Sequence, residues 1–76
     1  MTVTEFESVD YIQSFLDKLK PEEKFLVVFQ KTDGSTRRMV CILDPNNSSR
    51  HSAVPVVTDE GWRSFRLSSV YLITKA

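Results

Sequence analysis

Four arginines and two aromatic rings form the most chemically suggestive pattern in this chain. Arg37 and Arg38 are adjacent, while Arg63 and Arg66 flank Phe65, with Trp62 immediately before them. Guanidinium groups beside aromatic faces hold phosphates and stack bases, so these six residues are the candidate ligand- or nucleic-acid-binding set. Strand alternation sends Arg63 and Arg66 to opposite faces, which argues against one continuous patch. The competing reading pairs these arginines with Asp59, Glu60 or the N-terminal acids, or leaves them solvating a strand edge. Trp62 reads as a core or rim aromatic in preference to a stacking platform.

Other reactive residues carry less. Cys41 sits in Met39-Val40-Cys41-Ile42-Leu43, where a buried structural thiol is expected. A reactive thiolate needs a cationic and partly exposed setting, and here only Arg37 and Arg38 are near in sequence. Asp44, Ser48, Ser49 and His51 have the residue types of a hydrolytic triad. Catalysis requires a base held and oriented by a third group, and a loop dense in turn formers does not supply that order. One Cys and one His give no zinc-ligand spacing. The residues therefore point to no enzyme, no metal and no cofactor.

The elements that must position the arginines follow from charge and periodicity. Ten Lys and Arg balance ten Asp and Glu over 76 residues. Residues 1–24 hold six acids against three bases, and residues 25–76 hold four acids against seven bases, so an acidic first third precedes a basic remainder. Zero net charge opposes bulk, salt-driven attraction to nucleic acid. No apolar run approaches the ~20 residues of a membrane span, and the polar, acidic start does not read as a secretory leader. Cytoplasmic residence is the expectation. The length fits one domain, 1–76, which buries only roughly 60% of its unfolded surface and leaves little core for an elaborate site.

The acidic part reads as a helix over residues 5–20. Phe6, Val9, Ile12, Leu16 and Leu19 recur at helical spacing and Phe15 widens the stripe. Thr4 and Glu7 fit a capping box, Ser8 offers a later cap, and Pro21 stops the element. The remainder, residues 24–75, reads as five short strands. Lys24 to Lys31 leads through Asp33-Gly34, a two-residue hairpin signal, into Thr36 to Leu43. That loop would set Val28 opposite Met39 and Leu26 opposite Cys41. Both faces of the hairpin would then be apolar, and so both covered. Residues 44–52 are a loop. Ala53 to Thr58 follows, with Pro55 suggesting an edge, then Trp62 to Arg66, a break at Leu67-Ser68-Ser69, and Val70 to Thr74. The expected fold class is α+β: an N-terminal helix packed on a small five-stranded antiparallel SH3-like or Sm-like β-barrel. Its edges, placed at Lys24–Lys31 or Ala53–Thr58, offer routes to pairing with another chain.

One order of residues is distinctive. Lys31-Thr32-Asp33-Gly34-Ser35-Thr36-Arg37-Arg38-Met39 precedes Cys41-Ile42-Leu43-Asp44-Pro45, and Gly61-Trp62-Arg63-Ser64-Phe65-Arg66-Leu67-Ser68-Ser69-Val70 follows. Over about residues 25–74 this resembles the WYL-like families of small SH3-like barrels, in particular the short phage-encoded members related to the WYL domain. The resemblance implies a binding or regulatory module, since WYL domains bind ligands, often nucleic-acid-derived, and pass that signal to an attached DNA-binding unit. Arg63, Phe65 and Arg66 match the basic stretch. This sequence holds no helix-turn-helix unit and no Trp-Tyr-Leu strand, Val70-Tyr71-Leu72 being only an echo of it. The expected function is a small non-enzymatic module acting through a protein partner or self-association, in host cytoplasm if phage-encoded. The alternative is binding of nucleic acid or a nucleotide through a basic barrel face.

Overall fold

A computed structural model describes residues 5–46 and 52–76. The helix, α1 (Val9–Asp17), is shorter than its apolar stripe suggests. Ser8 is extended and its Oγ accepts from the Tyr11 N–H at 3.1 Å, so the cap falls at Ser8. Thr4, the other candidate cap, lies outside the described residues. Residues 5–7 are held elsewhere: the Glu7 N–H donates to the Val70 carbonyl at 2.7 Å, and Phe6 stacks on Tyr71 with centroids 4.8 Å apart. Past Asp17, the Leu19 N–H reaches the Leu16 carbonyl, a tightened last turn, and Glu23 accepts from the Lys20 N–H at 2.9 Å. Ile12 and Leu16 are fully buried, flanked by Phe15 and Leu19.

Five strands follow: β1 (Phe25–Gln30), β2 (Thr36–Leu43), β3 (Ala53–Thr58), β4 (Gly61–Arg66) and β5 (Val70–Lys75). They form one antiparallel sheet in the order β4-β3-β2-β1-β5, so the fold is α+β. The break between the last two strands is a short 3-10 turn, Leu67–Ser69, with Leu67 buried.

The β1–β2 register differs by one residue from the two-residue-loop expectation. Phe25 faces Cys41, Val27 faces Met39 and Phe29 faces Arg37. The cause is the turn. The Gly34 N–H donates to the Lys31 carbonyl at 2.9 Å, and the Lys31 N–H donates to the Ser35 carbonyl at 2.7 Å. Gly34, at φ +90°, completes a three-residue loop of Thr32, Asp33 and Gly34. The Asp33 carboxylate locks it by accepting from both the backbone N–H and the hydroxyl of Ser35. Because side chains alternate, a one-residue slip exchanges the faces of the whole strand. Phe25, Val27, Phe29, Met39 and Cys41 consequently share the inner face and are all buried. Leu26, Val28, Arg38 and Val40 share the outer face. That face is uncovered, contrary to the expected double cover, with Val40 51% and Leu72 47% exposed.

β2 serves two partners. Thr36 to Cys41 pair with β1, while Ile42 and Leu43 at its end pair with Val57 and Val56 of β3. β3 and β4 join through the two-residue turn Asp59-Glu60, and Gly61 at φ +110° opens β4. β5 returns to β1 with an irregularity between Val28 and Phe29. The free edges are therefore β4 and β5, not β1 or β3. Pro55 is buried within an interior strand and is tolerated because the β2–β3 ladder is confined to Val56 and Val57. No ladder joins β4 to β5 among the described residues, so hydrogen bonding leaves the sheet open. The core fills its inner side: Phe25 meets Phe15 edge-on at 6.2 Å, and Phe29 meets Phe65 at 5.8 Å.

Candidate binding surfaces

Strand parity decides where each arginine goes. Arg37 stands opposite Phe29 and shares the inner parity of Met39 and Cys41. Arg63 stands opposite Val56 and shares the inner parity of Phe65. Both reach a cleft of about 380 Å³ between the turn end of the β1–β2 hairpin and β4. Arg66 has the opposite parity but is the last residue of β4, at the corner into the 3-10 turn, and it lines the same cleft. Lys31, beside the hairpin loop, adds a fourth cation. Phe29, Met39 and Phe65 supply the apolar part of the wall.

Four of the six sequence candidates therefore share one site: Arg37, Arg63, Phe65 and Arg66. Phe65 is only 2% exposed, so it is floor and leaves no ring face for stacking. Arg38 and Trp62 do not join them. Arg38 faces Val28 and Trp62 faces Val57, both on the outer side of the sheet. Trp62 is 57% exposed, so it is not a core aromatic.

The cleft is electrostatically one-sided. No carboxylate lines it among the described residues. One of the pairings expected for the arginines is seen among the described residues: Arg37 approaches Glu60 at 3.8 Å, with Glu60 largely exposed. Arg63 donates instead to the Trp62 carbonyl at 2.7 Å. Such an exposed, long ion pair holds Arg37 only weakly.

The second surface is apolar. Across the outer face, Leu72 stands by Val28, Leu26 by Val40, Ile42 by Val57, and Val57 by Trp62, a row crossing all five strands. Val40, Ile42 and Val57 line a shallow recess of about 180 Å³, with Lys24 and Asp59 among its polar walls. Sequence reasoning missed this row, and missed Lys31 in the cleft. The row follows from the three-residue Thr32-Asp33-Gly34 loop, an alternative that Asp33-Gly34 equally allows, while Lys31 joins the cleft only through the bend that brings the hairpin to β4.

Neither surface contains an activated nucleophile. Cys41 is 3% exposed, and burial pushes its thiol up to about 12. Ser48, Ser49 and His51 lie outside the described residues. Among those described, no group of three or more His, Cys, Asp or Glu is placed to hold a metal ion, and no helix is long and apolar enough to cross a membrane. No protein-family model, no curated protein and no solved structure matches the chain.

Proposed function

We propose that this chain is a small non-enzymatic recognition module that works through protein contacts on the outer face of its sheet, with a second copy of itself as the first partner. The observation that carries the reading is the exposure of Val40, Trp62 and Leu72 on one side of one sheet. Val40 joins Ile42 and Val57 in one recess of that face, and neighbouring apolar groups left uncovered in this way mark interaction sites. A chain of 76 residues with a single cysteine and, among the described residues, no metal-binding group has reason to bury it, because its own core supplies little stability. The buried, proton-retaining thiol of Cys41 supports the non-enzymatic part of the reading.

The strand order β4-β3-β2-β1-β5, with a 3-10 turn before the last strand, supports an SH3-like barrel as the architecture. The resemblance of residues 25–74 to the short WYL-like barrels supports a regulatory role in a phage-encoded, cytoplasmic setting. Sedimentation equilibrium from micromolar to millimolar chain tests the contact itself. The expected result is a concentration-dependent dimer that a Val40→Lys, Leu72→Lys double variant abolishes while staying folded. A wild-type chain that remains monomeric at ~1 mM, the weakest affinity of interest, would contradict self-association.

A further inference from the structure

The basic cleft is separate from that contact, because none of Val40, Trp62 and Leu72 lines it. We infer that it is a binding site for a small phosphate ester carrying two or more negative charges. Lys31, Arg37, Arg63 and Arg66 are four of the chain's ten basic residues, and all four line a single cleft of about 380 Å³. Bringing four cations together costs free energy through mutual repulsion unless an anion answers them. A neutral chain gains nothing in solubility from that arrangement. Arginine forks match the oxygens of a phosphate two at a time, and a lysine adds a mobile point charge.

Size and surroundings select a small ligand over a nucleic-acid strand. The cleft lies at the lower end of the range of small-molecule sites, roughly 300–1,000 Å³. Single strands are held by exposed aromatic platforms and a basic track. Here Phe29 and Phe65, the rings in the cleft wall, are 7% and 2% exposed. Asp33 and Glu60, both exposed, carry negative charge at the two turns nearest the cations, one beyond Lys31 and the other paired with Arg37. A long polyanion would run into them, whereas a compact one would not.

Glu60 also sets the expected strength. It occupies Arg37 at 3.8 Å, so an incoming phosphate must displace it. Removing that carboxylate strengthens binding, an effect opposite in sign to removal of a cation and not produced by damage to the fold.

Calorimetric titration of inorganic pyrophosphate into the full chain at ~50 mM salt, where charge contacts are strong, is the test. Citrate and a thymidine 15-mer serve as competitors, and circular dichroism verifies each variant. Pyrophosphate should bind the wild type and lose about tenfold or more in affinity in Arg37→Gln and in Arg63→Gln. It should gain about two- to fivefold in Glu60→Gln, the range of an exposed ion pair, and be unchanged in Arg38→Gln on the outer face. No binding at 10 mM pyrophosphate would overturn the assignment. An equal loss in Arg38→Gln would overturn the location. Citrate matching pyrophosphate, or the oligonucleotide outcompeting it, would overturn the ligand class.

Discussion

Phe29 and Phe65 meet with their ring centroids 5.8 Å apart and their planes tilted by 33°. Phe29 lies on β1 and Phe65 on β4, strands separated in the sheet by β3 and β2. Their contact shows how sharply the sheet bends: its inner face folds onto itself, and the side chains meet although no ladder joins β4 to β5 among the described residues. The same bend brings Arg37, the cross-strand partner of Phe29, to the cleft that Arg63 enters from β4. Core and candidate site thus depend on one contact.

Phe65→Ala should therefore remove a large share of the stability. Truncating a buried Phe costs about 3–5 kcal/mol, and a domain of this size has only about 4–11 kcal/mol in total. Urea denaturation followed by tryptophan fluorescence would show the midpoint fall steeply, with Phe65→Leu falling less. A loss under ~1 kcal/mol would mean the two halves of the sheet are held together some other way.

Gly34 fixes the hairpin register, and with it which residues of β2 face the core. Its φ of +90° is disfavoured for a side chain, although nothing lies within 4 Å of an added Cβ. Gly34→Ala should cost about 1–2 kcal/mol through backbone conformation alone, and Gly34→Asn less. Thermal melts of the two variants check the order. Equal melting points would show that the loop does not need the left-handed residue.

Most elements were legible in sequence, because propensity and turn chemistry act locally. Thr36–Leu43 and Ala53–Thr58 came out at their structural limits, and the alternation of Trp62, Arg63, Ser64 and Phe65 gave the right faces of β4. The failures arose where a distant contact or a turn subtype decided the outcome. Phe6 has the helical spacing, yet it stacks on Tyr71, sixty-five residues away, and the helix begins only after Ser8. Asp33-Gly34 is compatible with both a two- and a three-residue loop, and the hydrogen bonds of Ser35 to Asp33 select the latter. That choice exchanged the faces of β2 and opened the outer side, which local sequence could not reveal. The clustering of Arg37, Arg63 and Arg66 depended on the bend of the sheet, a property of the whole chain.

Acid should weaken the protein through two named carboxylates. Hydrogen bonds from the Ser35 hydroxyl and backbone hold Asp33 below its ordinary pKa, and the Lys20 N–H followed by Lys75, at 3.3 Å, does the same for Glu23. A folded pKa below the unfolded one gives stability that is complete above the unfolded value of about 4 and is lost as pH falls through the folded value. Denaturation midpoints from pH 6 to pH 2, roughly spanning that window, should fall less in Asp33→Asn and Glu23→Gln than in the wild type. Parallel curves would remove these groups from the acid response.

Cys41 makes the opposite prediction at high pH. Burial raises its thiol to about 12, so the unfolded chain releases its proton first and stability declines as pH rises past about 8.5. Cys41→Val should lack that decline. At pH 8, modification of the native thiol should be at least about a hundredfold slower than in urea, because little thiolate forms. Rapid labelling of the folded chain would show that the β1–β2 core opens.

Whether the outer face is the contact surface can be read from amide chemical shifts of isotopically labelled chain across a dilution series. Self-association through that face gives concentration-dependent shifts at Leu26, Val28, Val40, Trp62 and Leu72, with Arg37, Arg63 and Phe65 unmoved. Shifts at the cleft residues instead, or none anywhere up to ~1 mM, would contradict it.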